Sequence, residues 1–259
     1  MTGSDASGLN HQSPAMIVSD LQLGDLIAVL SAGWSDFRSH PIFGLFFAAI
    51  FAVAGWVLCY LLFTTGELSW LIPAVAGFPL IAPFAAIGLY EVSRRHEVGI
   101  AITWPGVLGA VRGRGDDQIL AMGVIIFVAF GFWVIIAHAI FSIAMVEAGA
   151  GSETLAFLVT DIGIAMLVVG GAIGAGMALA FYAITLVSLP MLLDREVDLM
   201  TAVITSLASI KGNRQVLLAW ALFIAVALGI AMITGFVGLF LILPVLGHST
   251  WHLYRRIVQ

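Results

Sequence analysis

All ten basic residues of this chain fall on one side of its long apolar runs, and that regularity limits the fold to one class. The runs lie at about 42–63, 70–90, 118–146, 155–190, 216–233 and 236–253. About 20 apolar residues cross a bilayer as a helix. Arg38 precedes the first run, and Arg94, Arg95, Arg112 and Arg114 separate the second from the third. Arg195, Lys211 and Arg214 separate the fourth from the fifth, and Arg255 and Arg256 follow the sixth. The connections TTGELS, VEAGAGSET and MITG hold no basic residue. Basic loops stay cytoplasmic. Six spans therefore give three hairpins with both termini in the cytoplasm, whereas five or seven would scatter the charges. Thr234-Gly235 is the natural fold point of the last hairpin, leaving about 18 residues per side.

Composition agrees with an all-α membrane protein. The chain is 61% hydrophobic and 10% charged, against about 25% charged in soluble domains. Its single cysteine, Cys59, excludes internal disulfides and a Cys-rich metal site. A net charge of −5 gives no reason to expect a nucleic-acid partner. Residues 1–19 read as a disordered tail without a signal peptide, and 20–259 as one membrane domain.

The cytoplasmic segments carry helical periodicity of their own. Leu23, Leu26, Ile27, Leu30, Trp34 and Phe37 share a face, as do Trp104, Val107, Leu108 and Val111, and as do Leu199, Met200, Val203, Leu207 and Ile210. Each set describes an amphipathic surface helix before a hairpin. Thr103 is the expected N-cap of the second, with Pro105 in its first turn. The hairpins end alike, in GLYEVSRR, SLPMLLDREV and STWHLYRR. Superposing Arg94, Arg195 and Arg255 aligns Tyr90, Met191 and Trp251, and Pro83 with Pro244, although Ile184 breaks that column. The pattern describes a threefold repeat with units of about 22–97, 102–196 and 197–257.

Few residues in the runs could carry chemistry. His248 and His252 sit one helical turn apart, the spacing of a shared metal site, but no third ligand stands near them in sequence. His138 lies inside the third run, nearer the other side, and is more simply a histidine bonded to a neighbouring helix. No metal and no cofactor is therefore expected. Asp161 is the only carboxylate within an apolar run and so a candidate transport residue. The alternative is that residues 153–162 lie at the surface. Pro73, Pro79 and Pro83 break the second run as transporter helices are broken, or kink it for packing. Gly170 and Gly174 allow a close helix approach. At the cytoplasmic rim, Glu91 with Arg94 and Arg95, and Asp194 with Arg195, are expected pairs that staple helix ends. Trp251, Tyr254, Arg255 and Arg256 are expected to anchor the last span at the headgroup layer. His252 is expected to matter little to stability. His248 is expected to need a buried partner, with Glu91 as the nearest candidate.

Several strings carry a resemblance: Gly33-Trp34-x-Asp36-Phe37-x-x-x-Pro41, GFPLIAPFAAIGLYEVSRR, VSLPMLLDREVD and LPVLGHSTWHLYRR. Together they resemble a bacterial integral-membrane family catalogued as domain of unknown function 2189. The resemblance implies a multi-pass protein of the bacterial inner membrane and offers no catalytic residues to carry over. Labels on some members link them to cytochrome c oxidase. The sequence reading is thus a non-catalytic protein acting by association with other membrane proteins, such as an accessory or assembly subunit of a respiratory or other complex. The alternatives are a channel or secondary transporter and, behind these, a haem or metal protein.

Overall fold

The computed structural model describes residues 16–65, 82–112, 117–149 and 155–259. Ten α-helices follow one another among these residues. They are α1 (Leu23–Ser39), α2 (Pro41–Thr65), α3 (Ala82–Val98), α4 (Trp104–Leu108), α5 (Gln118–Ala148), α6 (Asp161–Thr185), α7 (Ser188–Asp194), α8 (Leu199–Gly212), α9 (Arg214–Ile233) and α10 (Leu239–Ile257). Short 3₁₀ turns at Gly109–Arg112 and Leu155–Val159 complete the described helical structure.

Local chemistry sets several of these starts. Thr103 caps α4 by accepting from the Gly106 amide at 3.4 Å, as its position suggests. Asp198 caps α8 and Thr160 caps α6, each accepting an amide proton three residues on. Asp161 is therefore the first residue of α6, beyond a separate 3₁₀ turn, and is exposed. A carboxylate there meets the positive end of the helix dipole.

Four stretches are long and apolar enough to cross a membrane: Pro41–Leu61, Gln118–Ala148, Asp161–Asp194 and Arg214–Ile233. They are the first, third, fourth and fifth expected spans, so the expected six stand at four among the described residues. The second run lies mostly outside these residues, and only its end appears, in α3. The sixth run becomes α10, whose 19 residues would extend about 28 Å. Its polar second half lowers its hydropathy. The chain turns between α9 and α10 at 234–238, with Gly235 and Phe236 at φ of 64° and 66°. At most a third of each apolar window is buried inside the molecule, so the remainder is left for lipid.

α10 is the opposite case and forms the centre. It packs on α1, α2, α3 and α9, and from Leu246 to Trp251 every residue is buried. A Cβ on Gly33 would stand 2.6 Å from the Ser249 amide nitrogen, so α1 crosses α10 at backbone contact. The largest core cluster lies where α3, α7 and α10 meet and includes Tyr90, Leu189, Met191, Trp251 and Tyr254. These helices carry the three similar endings read in the sequence. Residues 16–18, placed in the tail by sequence, instead pair with 257–259, Val18 donating to the Ile257 carbonyl at 2.9 Å. Asn213 sews the same segment to the α8–α9 junction. Its side chain accepts from the Leu21 amide and donates to the Val18 carbonyl.

Candidate functional site

The described polar side chains gather around Asp36, in the last turns of α1. Asp36 is buried because it shares a helix face with Val29 and Gly33, and that face lies on α10. Its Oδ2 accepts from Ser93 Oγ at 2.6 Å and from His252 Nε2 at 2.8 Å. Its Oδ1 accepts from His96 Nδ1 at 2.8 Å. Ser93 Oγ also lies 2.7 Å from His248 Nδ1. The His40 ring meets the His96 ring edge-on, with centroids 5.0 Å apart. Three helices and the α1–α2 junction thus converge on one carboxylate.

The proton count assigns directions. Ser93 has one hydroxyl proton, and the shorter bond to a carboxylate takes it. His248 Nδ1 must then donate to Ser93, which leaves Nε2 of the neutral ring as an acceptor. Both residues are fully buried, and His248 Nε2 has no hydrogen-bond partner among the described residues. Burial alone would oppose ionisation of Asp36. The bonds from His252, Ser93 and His96 outweigh it and hold the carboxyl well below the usual range. Burial pushes the His40 imidazole below its ordinary value, and the neighbouring His96 adds to that.

This arrangement is not a nucleophile's. A serine is activated by a base that accepts its proton, with a third group behind the base. Here serine sits between acid and histidine, gives its proton to the acid, and is sealed from solvent.

A second ionic layer surrounds the cluster. Glu91 accepts from Arg94 Nε at 2.7 Å and Nη2 at 2.8 Å, and from Arg95 Nε at 2.5 Å. The expected Glu91–arginine pairs are therefore present, and the expected Glu91–His248 contact is replaced by Ser93. Burial opposes the Glu91 charge, but the two guanidiniums lower its pKa on balance. Asp194 accepts from Tyr254 at 2.9 Å and from Arg255 at 3.3 Å. Glu97 accepts from Trp251 Nε1 and Arg255. Arg256 donates to Asp20 and Asp25, tying α10 to the start of α1. Trp251 and Tyr254 are each 1% exposed. They are core residues bonded to carboxylates, not the headgroup anchors their aromatic character suggests.

The other sequence candidates lie apart from the cluster. His138 is half-buried in α5. Pro73 and Pro79 lie outside the described residues, and Pro83 is the second residue of α3. Gly174 faces Trp133 of α5, where a Cβ would lie 2.6 Å from the ring, and Gly170 faces Ile140. The small-residue pair therefore serves packing within this chain. Among the described residues no group of three or more His, Cys, Asp or Glu is placed to hold a metal ion. A cavity of about 830 Å³ lies between α5, α6, α9 and α10, with α3 at one end. Its described lining contains no carboxylate, imidazole, lysine or arginine, and Asp161 is not part of it. The hydroxyls of Tyr182, Thr185 and Thr250 in its wall all donate to backbone carbonyls.

Sequence reasoning found His248 and His252 but missed Asp36, Ser93, His96 and His40. A signal was available for Asp36. It sits three residues after Gly33 on an otherwise apolar face, where a carboxylate needs partners.

Fold and cluster together define a multi-pass, all-helical integral membrane protein with a buried ionic clasp at one end. Residues 71–194 match the model of a family described as predicted integral membrane protein (DUF2189). It contains Ser93 and His96, while Asp36, His40, His248 and His252 lie outside it. No curated protein and no solved structure matches the chain.

Proposed function

We propose that the protein is non-catalytic and works by association, as an accessory or assembly subunit of a larger complex in a bacterial inner membrane. The observation that supports this most is the 830 Å³ cavity. It is walled on one side by the small residues Gly171, Ala175 and Ala178 of α6, and the hydroxyls of Tyr182, Thr185 and Thr250 in its wall are already bonded to backbone. Such a surface suits an apolar membrane partner, because small residues let a helix approach closely. It offers little to an ion or to a reacting group. Extraction in mild detergent and native electrophoresis test the reading. The intact protein is expected to migrate in an assembly larger than itself. Ala178→Phe, which fills the cavity from an exposed position, is expected to release it. A lone monomer under every gentle condition would overturn the proposal. The oxidase link implied by the resemblance makes respiratory complexes the first to look for. N-in, C-in orientation belongs to the same proposal, and a C-terminal reporter active only in the periplasm would contradict it.

One observation favours a second reading, a proton-coupled channel or transporter. Half-exposed His96, Asp36, Ser93 and buried His248 form one unbroken chain of hydrogen bonds. Proton flux into vesicles that is lost in Ser93→Ala would support it, and flux unaffected by that change would remove it.

A further inference from the structure

Seven of the basic residues of the described chain fall into two sets. Arg94, Arg95, Arg255 and Arg256 all hold carboxylates of the same molecule. Arg38, Lys211 and Arg214 are exposed and have no carboxylate in ion-pair reach among the described residues. The unpaired set lies beside outward apolar faces. On α1, Leu26, Val29 and Phe37 turn to the protein, while Leu23, Ile27 and Trp34 are exposed, and Arg38 follows Trp34 by one turn. On α8 the usual order is reversed. Ala202, Thr205, Ser206 and Ser209 are buried, while Met200, Ile204 and Leu207 are exposed and Lys211 follows Leu207 by one turn. A surface helix in water hides its apolar stripe and shows its polar one. α8 does the opposite.

Both faces continue into membrane-crossing helices. A single residue, His40, separates α1 from α2, whose Ile42, Leu45 and Phe46 are exposed. Asn213 alone separates α8 from α9, whose Leu218 and Leu222 are exposed. The Asn213 side chain ties this junction to the lead-in of α1. We infer that α1 and α8 lie in the bilayer surface, with their exposed apolar residues at the acyl boundary and Arg38, Lys211 and Arg214 on the phosphates of anionic lipids. Cation and apolar stripe occur together on both helices, as interfacial binding requires. The inference rests on the chain spanning the membrane and is independent of any protein partner.

Two measurements on the purified full chain in lipid test it. Ile204→Cys, on a Cys59→Ser background, is labelled with an environment-sensitive fluorophore. In vesicles containing phosphatidylglycerol, blue-shifted emission quenched by bromine on the upper acyl carbons is expected. Water-like emission without bromine quenching would overturn the proposal. So would a label shielded in native membranes but not quenched by brominated lipid, because a protein would then cover α8. The second measurement is retention of phosphatidylglycerol over phosphatidylcholine in native mass spectrometry. Replacing Arg38, Lys211 and Arg214 together by Gln is expected to cut the preference by about fivefold per residue removed. Arg255→Gln is expected to leave it unchanged, and millimolar inorganic phosphate is expected not to displace the lipid. An unchanged preference in the triple variant, or displacement by free phosphate, would contradict a lipid surface as the ligand.

Discussion

Asp36 decides the chemistry of the end of the molecule where α1, α3 and α10 meet. A buried carboxylate is costly unless bonded, and this one accepts from Ser93, His96 and His252. Its lowered pKa means that its stabilisation is complete above about pH 3.9 and is lost only as pH falls below that. His40 gives a dependence nearer neutrality. Its folded pKa is lowered, so the fold favours the neutral ring. Its contribution is complete above about pH 6.5 and declines as pH falls toward the folded value. His40→Gln is therefore expected to flatten the decline in melting temperature between pH 7 and pH 5, read by thermal unfolding at a series of pH values. A slope equal to the parent's would show that His40 does not carry it. Little of this residue-level detail was legible in sequence. The spacing of His248 and His252 showed that they share a face, but the acceptor was 216 positions from His252. Only the fold brings it there.

Two glycines of α1 show how an element's neighbours decide the sign of one change. A Cβ at Gly24 meets nothing within 4 Å, whereas one at Gly33 runs into the Ser249 backbone. Gly24→Ala is expected to stabilise by about 0.5–1 kcal/mol through helix propensity. Gly33→Ala is expected to destabilise by about 1–3 kcal/mol, because α1 must move off α10. Chemical denaturation of the detergent-solubilised chain reads both, and equal effects would contradict the crossing described. That helices form in the three segments before the hairpins was legible, down to the Thr103 cap. Which way each apolar face points was not. Periodicity says which residues share a face, but lipid and protein core are equally apolar. Met200 and Leu207 of α8 could therefore not be assigned outward from sequence. The same ambiguity placed Trp251 and Tyr254 in the headgroups when both belong to the core.

At the scale of the molecule, charge placement and apolar length made the class legible, and four stretches bear it out. The role of α10 was hidden because its endings look like any membrane rim, Arg255 and Arg256 included. Its arginines, histidines and aromatic polar atoms instead bind α1, α3 and the end of α7. We hold that this clasp is one coupled network joining the first and last helices. A double-mutant cycle of Asp36→Ala with His252→Ala, followed by unfolding of the full chain in detergent, tests it most directly. His252→Ala alone is expected to cost about 1.5–3 kcal/mol, since it removes a bond to a charged acceptor. That revises the small effect its place in the sequence suggests. The two changes are expected to couple by at least about 1 kcal/mol. Additivity within about 0.5 kcal/mol would contradict the network and leave Asp36 and His252 as separate neighbours.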